Sequence, residues 1–156
     1  MTAGGSSIPE VRRLLAVLAA GKRVAEIGTA FGLGAEALAS TAREVVTVEV
    51  DPERAGEARV RLEGLPNVEL LVGDWRDHLP SRPPFELVFL DGGGAKTDPA
   101  AVELVAAGGI YFMDDFTPDW PGPDPVREFW DRRDDVVVTE ILTTPTTAAL
   151  IAARVA

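Results

Sequence analysis

Three acidic residues stand at the ends of three short apolar runs: Glu26 in RVAEI, Glu49 in EVVTVEV and Asp74 in VELLVGD. Between the first two lies G-T-A-F-G-L-G, with glycines at 28, 32 and 34, which continues into an alanine-rich helical pattern. A strand that opens through glycines into a helix brings backbone amides and a helix N-terminus up to a ligand, and the glycines permit positive φ and close approach. That is nucleotide-binding chemistry. The dinucleotide fingerprint G-x-G-x-x-G nevertheless fails on its central spacing, because the glycines read G-x-x-x-G-x-G and Ala30 stands where the second would be. A second acidic group follows: Asp91 ends FELVFLD, and Asp114 with Asp115 ends IYFMDD. If those two strands are neighbours in one parallel sheet, three carboxylates crowd one rim. Such crowding raises pKa values unless a cation compensates it, and an all-oxygen ligand set suits Mg2+.

The elements that must position these groups follow in a regular order. Helical spacing covers 8–21, with Pro9 near its start and Gly21 as a stop. Further helices are expected over 34–42, 51–64 (capped by Asp51, with Pro52 first), 98–109 (ending in two glycines) and 125–133. Strands are expected over 23–27, 44–50, 68–72, 85–91, 110–115, 136–142 and 148–154, and RDHLPSRPP reads as a turn-rich connector. Strands alternating with helices imply a parallel sheet covered on both faces. The fold expected is α/β: a Rossmann-like three-layer sandwich with a seven-stranded, mostly parallel sheet and an antiparallel C-terminal hairpin. No internal repeat or linker breaks the chain, so residues 1–156 are expected to form one domain.

Composition narrows the partners. The 156 residues are 46% hydrophobic and 26% charged, an ordinary globular balance. Net charge is −10 and no basic stripe is present, which argues against nucleic acid and for a small-molecule substrate. There is no cysteine for disulfides, thiolate metal sites or nucleophilic catalysis. MTAGGSS carries no signal-peptide pattern and no apolar run reaches membrane-spanning length, so a cytoplasmic location without membrane association is the expectation.

E-I-G-T-A-F-G-L-G resembles motif I of the class I S-adenosylmethionine-dependent methyltransferases, with alanine for the middle glycine. The resemblance implies that Glu26 meets the methionine amino group and that the backbone of Gly28, Thr29, Ala30, Phe31 and Gly32 passes under the cofactor. Glu49, followed by Val50, would take the ribose hydroxyls. Asp74, between Gly73 and Trp75, would meet the adenine amino group beside the Trp75 amide. Asp91 would border the same site. The second half is similar to the metal-dependent O-methyltransferases of the catechol and caffeoyl-CoA type, which implies Asp91, Asp114 and Asp115 as cation ligands. Asp115 replaces the usual Asn there, which either tightens cation binding or removes it. That family places a lysine three residues after its first metal Asp; the position is Gly94 here, and Lys96 is the nearest candidate base, with Asp91 as the other catalytic candidate. His78, the only histidine, is expected to pack or cap.

The resemblance runs from about residue 8 onward, with a shorter N-terminal lid than the family usually carries. Trp120 and Phe116 are candidates for an apolar acceptor wall, and a second copy of the chain, as a homodimer, is a candidate cover for the cleft. The function expected is methyl transfer to a small hydroxylated or aromatic molecule with divalent-metal assistance. Its rivals are a non-catalytic S-adenosylmethionine-binding domain and an aminopropyltransferase-like enzyme.

Overall fold

The computed structural model describes residues 7–92 and 94–156; the reading of MTAGGSS falls almost wholly outside them. Seven strands form one sheet: β1 (Arg23–Ile27), β2 (Glu44–Glu49), β3 (Val68–Val72), β4 (Phe85–Leu90), β5 (Val105–Phe116), β6 (Val136–Thr144) and β7 (Thr147–Arg154). Their order is β3-β2-β1-β4-β5-β7-β6. The pairs among β1 to β5 are parallel, and β7 is antiparallel to both β5 and β6. The α/β sandwich expected from the sequence is therefore present.

The central strands are nearly continuous apolar runs because both of their faces are covered. Side-chain alternation divides them between two cores. Val24, Val45, Leu87, Phe89 and Phe112 pack with Val11, Leu15 and Ala19 of helix α1 (Pro9–Ala19) and Leu38 of helix α2 (Leu33–Ala39). Ala25, Ile27, Val46, Val48, Val88, Leu90, Tyr111 and Met113 pack on the opposite side with Trp75, Leu79 and Trp130. By the same alternation Glu26, Thr47, Glu49, Asp91 and Asp114 belong to the α2 side of the sheet. Helix α3 (Pro52–Arg61) starts where expected, because the Asp51 side chain accepts from the Glu53 and Arg54 amides and Pro52 needs no donor.

The expected helix over 98–109 is a correction. Only one turn is helical, α5 (Pro99–Val102), capped by Asp98, which accepts from the Ala100 amide. Strand β5 already begins at Val105, which pairs with Phe85, and the Tyr111 hydroxyl donates to the Val102 carbonyl at 2.6 Å. The two glycines belong to an irregularity in the β4–β5 pairing rather than to a helix end. Gly108 has φ +80°, and a Cβ on Gly109 would lie 2.6 Å from Val105 Cγ1 and 3.0 Å from the Glu86 carbonyl. Tertiary pairing overrides the helical propensity of the alanines. The connector after β3 also contains a short helix, α4 (Trp75–His78), capped by Asp74. The last helix, α6 (Pro125–Asp131), falls inside its expected span. Among the described residues, no helix is long and apolar enough to cross a membrane.

Candidate functional site

The strand order reverses between β1 and β4, and α/β folds place ligands at such a switch point, beyond the carboxyl ends of the strands. A cavity of about 510 Å3 opens there, lined by Gly28, Ala30, Glu49, Val50, Arg54, Gly73, Asp74, Trp75, Arg76, Asp91, Gly92 and Asp115, with Ile27 and Val48. This size is ordinary for a small-molecule site. Two glycines make the opening possible. Gly28 has φ +96°, and a Cβ on it would stand 2.8 Å from the Gly92 nitrogen; a Cβ on Gly92 would stand 3.1 Å from Ile27 Cγ2. The ends of β1 and β4 thus meet backbone to backbone.

The end of β2 shapes the glycine loop. The Val48 carbonyl accepts from the amides of Gly28 (2.9 Å) and Thr29 (3.2 Å). Glu49 is buried, and its carboxylate accepts from the Ala30 amide at 2.7 Å and the Asp51 amide at 3.0 Å. That carboxylate is fixed by backbone donors and also borders the cavity. Asp74 caps α4, accepts from the Arg76 amide at 2.9 Å and pairs with the Arg76 guanidinium. Arg76 also reaches Asp98, its Nε donating at 3.0 Å, so the loops after β3 and β4 are tied together across the mouth.

Not every residue expected at the cofactor borders the cavity. Gly28, Ala30, Glu49, Val50, Gly73, Asp74, Trp75 and Asp91 line it; Glu26, Thr29, Phe31 and Gly32 are not among its lining residues. Glu26 lies below the loop, 1% exposed, accepting from the Thr47 hydroxyl at 2.6 Å, in the space that a side chain on Gly34 would fill. Burial pushes its carboxyl up to about 8 against the pull of the Thr47 hydrogen bond, with repulsion from Asp114 and Glu49 adding to the rise. The consequence for stability has a definite sign. The unfolded chain releases this proton near 4.5 and the folded chain near 8, so stability is full below the lower value and declines as pH rises towards the upper one. Urea unfolding between these limits without divalent cations should show a loss on the order of a few kcal/mol, and Glu26→Gln should flatten it. An unchanged pH slope in the variant would assign the decline to other groups.

The expected rim is assembled. One carboxylate oxygen each from Asp91, Asp114 and Asp115 lies within 4.8 Å of the others. Asp91 and Asp115 border the cavity, whereas Asp114 sits behind them, 3% exposed, with its Oδ1 buried and without a hydrogen-bond partner among the described residues. Asp115 has φ +66°, a left-handed conformation that is strained for a non-glycine residue. Burial raises the pKa values of Asp91 and Asp114, and neighbouring carboxylates raise them further: Asp114 acts on Asp91, and Asp115 on Asp114. Lys96 offsets part of this charge. Its Nζ donates to the Asp114 backbone carbonyl at 2.7 Å and lies 5.1 Å from the Phe116 ring centre, while its own carbonyl accepts from the Trp130 indole.

Other expectations fare differently. His78 packs, with Nε2 3.2 Å from the Val72 carbonyl and against Gly73. The apolar wall of Trp120 and Phe116 does not form at the cavity. Trp120 is 54% exposed with its indole on the Pro123 carbonyl, and Phe116 is covered by Lys96 and Arg127. Arg54, Arg76 and Gly92 were missed. Arg54 follows the cap Asp51 by three residues in the first turn of α3, a position that keeps it beside the strand end, and Gly92 follows a strand-terminal acid; both are legible signals.

Comparisons with known proteins identify the family and the fold. The family model described as protein-L-isoaspartate(D-aspartate) O-methyltransferase (PCMT) matches residues 7–114, more than half of the chain. A protein-L-isoaspartate O-methyltransferase of Burkholderia pseudomallei (strain 668) is 36% identical over 104 residues, covering 64% of this chain and 32% of that protein. The chain thus spans about a third of the length of the curated relatives it matches. Among solved structures, the O-methyltransferase TomG from Streptomyces achromogenes, in complex with SAM, superposes with a TM-score of 0.78 at 27% identity, over 100% of this chain and 84% of that one. An O-methyltransferase from Bacillus cereus, in complex with SAH, gives 0.78 at 22% identity over 96% and 83%, a likeness of fold.

Proposed function

The chain belongs to the protein-L-isoaspartate(D-aspartate) O-methyltransferase family, and from that premise we propose that its cavity takes S-adenosylmethionine and that the protein methylates a hydroxyl-bearing small molecule beside the three-aspartate rim. The observation that carries the acceptor reading is the rim itself: three carboxylates converge next to the cavity, and the buried Asp114 Oδ1 has no hydrogen-bond partner among the described residues. In this reading the backbone of Gly28 and Ala30 lies under the cofactor, Glu49 receives the ribose hydroxyls, and Asp74 with the Trp75 amide receives the adenine.

The rim fits a hard divalent cation. One carboxylate oxygen each from Asp91, Asp114 and Asp115 lies within 4.8 Å of the others, close enough for one hard cation to be held by all three. Asp91, Asp114 and Asp115 would hold the ion, which when bound lowers the pKa of an acceptor hydroxyl and fixes its oxygen near the methyl group. The chain's own groups do the rest. The glycine loop and Glu49 orient the sulfonium for in-line displacement, the methyl passes to the oxygen, and S-adenosylhomocysteine leaves. In this reading Asp91, which borders the cavity, takes the hydroxyl proton, and Lys96 balances the charge of Asp114.

A second reading is supported by the family match: methylation of an isoaspartyl carboxylate in a protein, the activity named for the relatives. A carboxylate acceptor would approach three carboxylates at this rim, and that repulsion favours the hydroxyl reading. Calorimetry with S-adenosylmethionine and NAD+ in parallel tests the cofactor. Glu49→Gln swaps one acceptor oxygen for a donor against two backbone amides and should weaken S-adenosylmethionine about 10–100-fold, as expected for losing charge-assisted hydrogen bonds. No heat with S-adenosylmethionine, or heat only with NAD+, ends the cofactor reading. Methyl transfer assayed with catechol and with an isoaspartyl peptide, each with Mg2+ or EDTA, tests the acceptor. Transfer to catechol should stop in EDTA, whereas EDTA-insensitive transfer to the peptide would establish the second reading.

A further inference from the structure

Strand β2 reads E-V-V-T-V-E, and its single interior polar residue, Thr47, is completely buried. Packing alone calls for a valine at that position, since a buried hydroxyl costs free energy unless it is hydrogen-bonded. Thr47 is bonded twice. It donates to Glu26 Oε1 at 2.6 Å, and its only hydrogen is then spent, so the Thr29 hydroxyl, also at 2.6 Å, is the donor to Thr47. Two residues further on the same face of β2, Glu49 holds the Ala30 amide. Between them the Val48 carbonyl takes the amides of Gly28 and Thr29. Three consecutive residues of β2 therefore grip three consecutive residues of the glycine loop, and Thr47 is the one whose side chain joins the loop to the buried Glu26.

We propose that Thr47 is a positioning residue for the cofactor loop: its hydroxyl locks the Thr29 side chain and the Glu26 carboxyl together, so that Gly28 and Ala30 present a preformed backbone to S-adenosylmethionine. This rests on the cofactor reading above. Neither Thr47, Thr29 nor Glu26 lines the cavity, so the effect travels through the loop. Without the bridge the loop keeps its backbone bonds to Val48 and Glu49 but loses its side-chain anchor, and part of the binding free energy goes into ordering it.

Titration calorimetry with S-adenosylhomocysteine tests this on the wild-type chain, T47V and T47S, together with thermal melting and amide hydrogen exchange across Gly28–Gly32. T47V conserves shape and removes the hydroxyl. It should bind at least tenfold more weakly and exchange faster in the loop, and it should also melt lower, because the buried Glu26 and Thr29 side chains lose their partner. T47S should recover affinity to within about threefold, because it restores both hydrogen bonds. A residue that merely supported the fold would lower the melting temperature and leave the affinity of the folded molecule unchanged. If T47V does not fold, Thr29→Val cuts the same bridge from the loop side and carries the same tenfold expectation. Wild-type binding with unaltered affinity in the folded variants overturns the positioning role alone. No binding by the wild type overturns the cofactor reading and this inference with it.

Discussion

Alanine at Gly28 should destabilise the protein by about 2–4 kcal/mol and abolish measurable S-adenosylmethionine binding. Two costs combine. At φ +96° an L-residue is strained by about 1 kcal/mol or more. The added methyl must also sit 2.8 Å from the Gly92 nitrogen and 3.0 Å from its Cα, an overpacking cost of about 1–3 kcal/mol. Both neighbours are backbone atoms, so relief comes only from separating the ends of β1 and β4, where the cavity opens. Gly56→Ala is the matched control. It lies inside α3, where an added methyl group meets nothing within 4 Å, and should stabilise by about 0.5–1 kcal/mol through helix propensity. Chemical denaturation and calorimetry on both variants give the comparison. Gly28→Ala with wild-type stability and affinity would mean that the close approach of the two strand ends is not required.

Asp114→Asn should make the free protein more stable and, on the function proposed above, abolish methyl transfer. Among the three rim carboxylates Asp114 is the most deeply buried, and burial together with Asp115 raises its pKa. Above the titration range and without a cation, an amide of the same shape removes that repulsion, gives the orphaned Oδ1 position a neutral group and provides a donor near Asp91. A gain of about 1–2 kcal/mol is expected, consistent with replacing an uncompensated buried charge. For a chain of this size that is a rise in melting temperature of about 2–4 °C per kcal/mol. Added Mg2+ should reverse the order. Binding to the folded wild type stabilises it by mass action, and the variant should gain little. Mg2+-dependent transfer should fall at least 100-fold. Melting curves in EDTA and in Mg2+ are the measurement, and an equal Mg2+ response in both proteins would remove the cation from the rim. The trade of stability for a crowded functional site is a common one.

The alternation of strand and helix was legible because the buried strands are rich in β-branched and apolar residues, and the helix starts carry their caps and prolines. The rim aspartates were legible for a related reason: each ends a strand, and β4 and β5 are neighbours. What stayed hidden depends on tertiary pairing. Val105–Gly109 reads as the end of a helix until Val105 pairs with Phe85. Glu26 and Glu49 look alike in sequence, yet Glu49 borders the cavity and Glu26 lies under α2 against Gly34. Nothing local separates them, because the difference is set by how the loop folds back over β2. Trp120 reads as a wall because its loop follows the C-terminal end of β5, where α/β folds place ligands; here the Pro123 carbonyl holds its indole at the surface.

The position of β7 has a consequence for how the molecule is made. β7 lies between β5 and β6, although it follows both in sequence. During synthesis β5, which carries Asp114 and Asp115, emerges well before the strand that pairs with it. Its outer edge stays unpaired until Thr147–Arg154 has left the ribosome and inserted antiparallel beside it. The strands whose ends border the cavity, β1 to β4, can assemble ahead of that event. Of the rim, Asp91 thus belongs to the part that can assemble early, whereas Asp114 and Asp115 lie on a strand whose outer edge is closed only by β7.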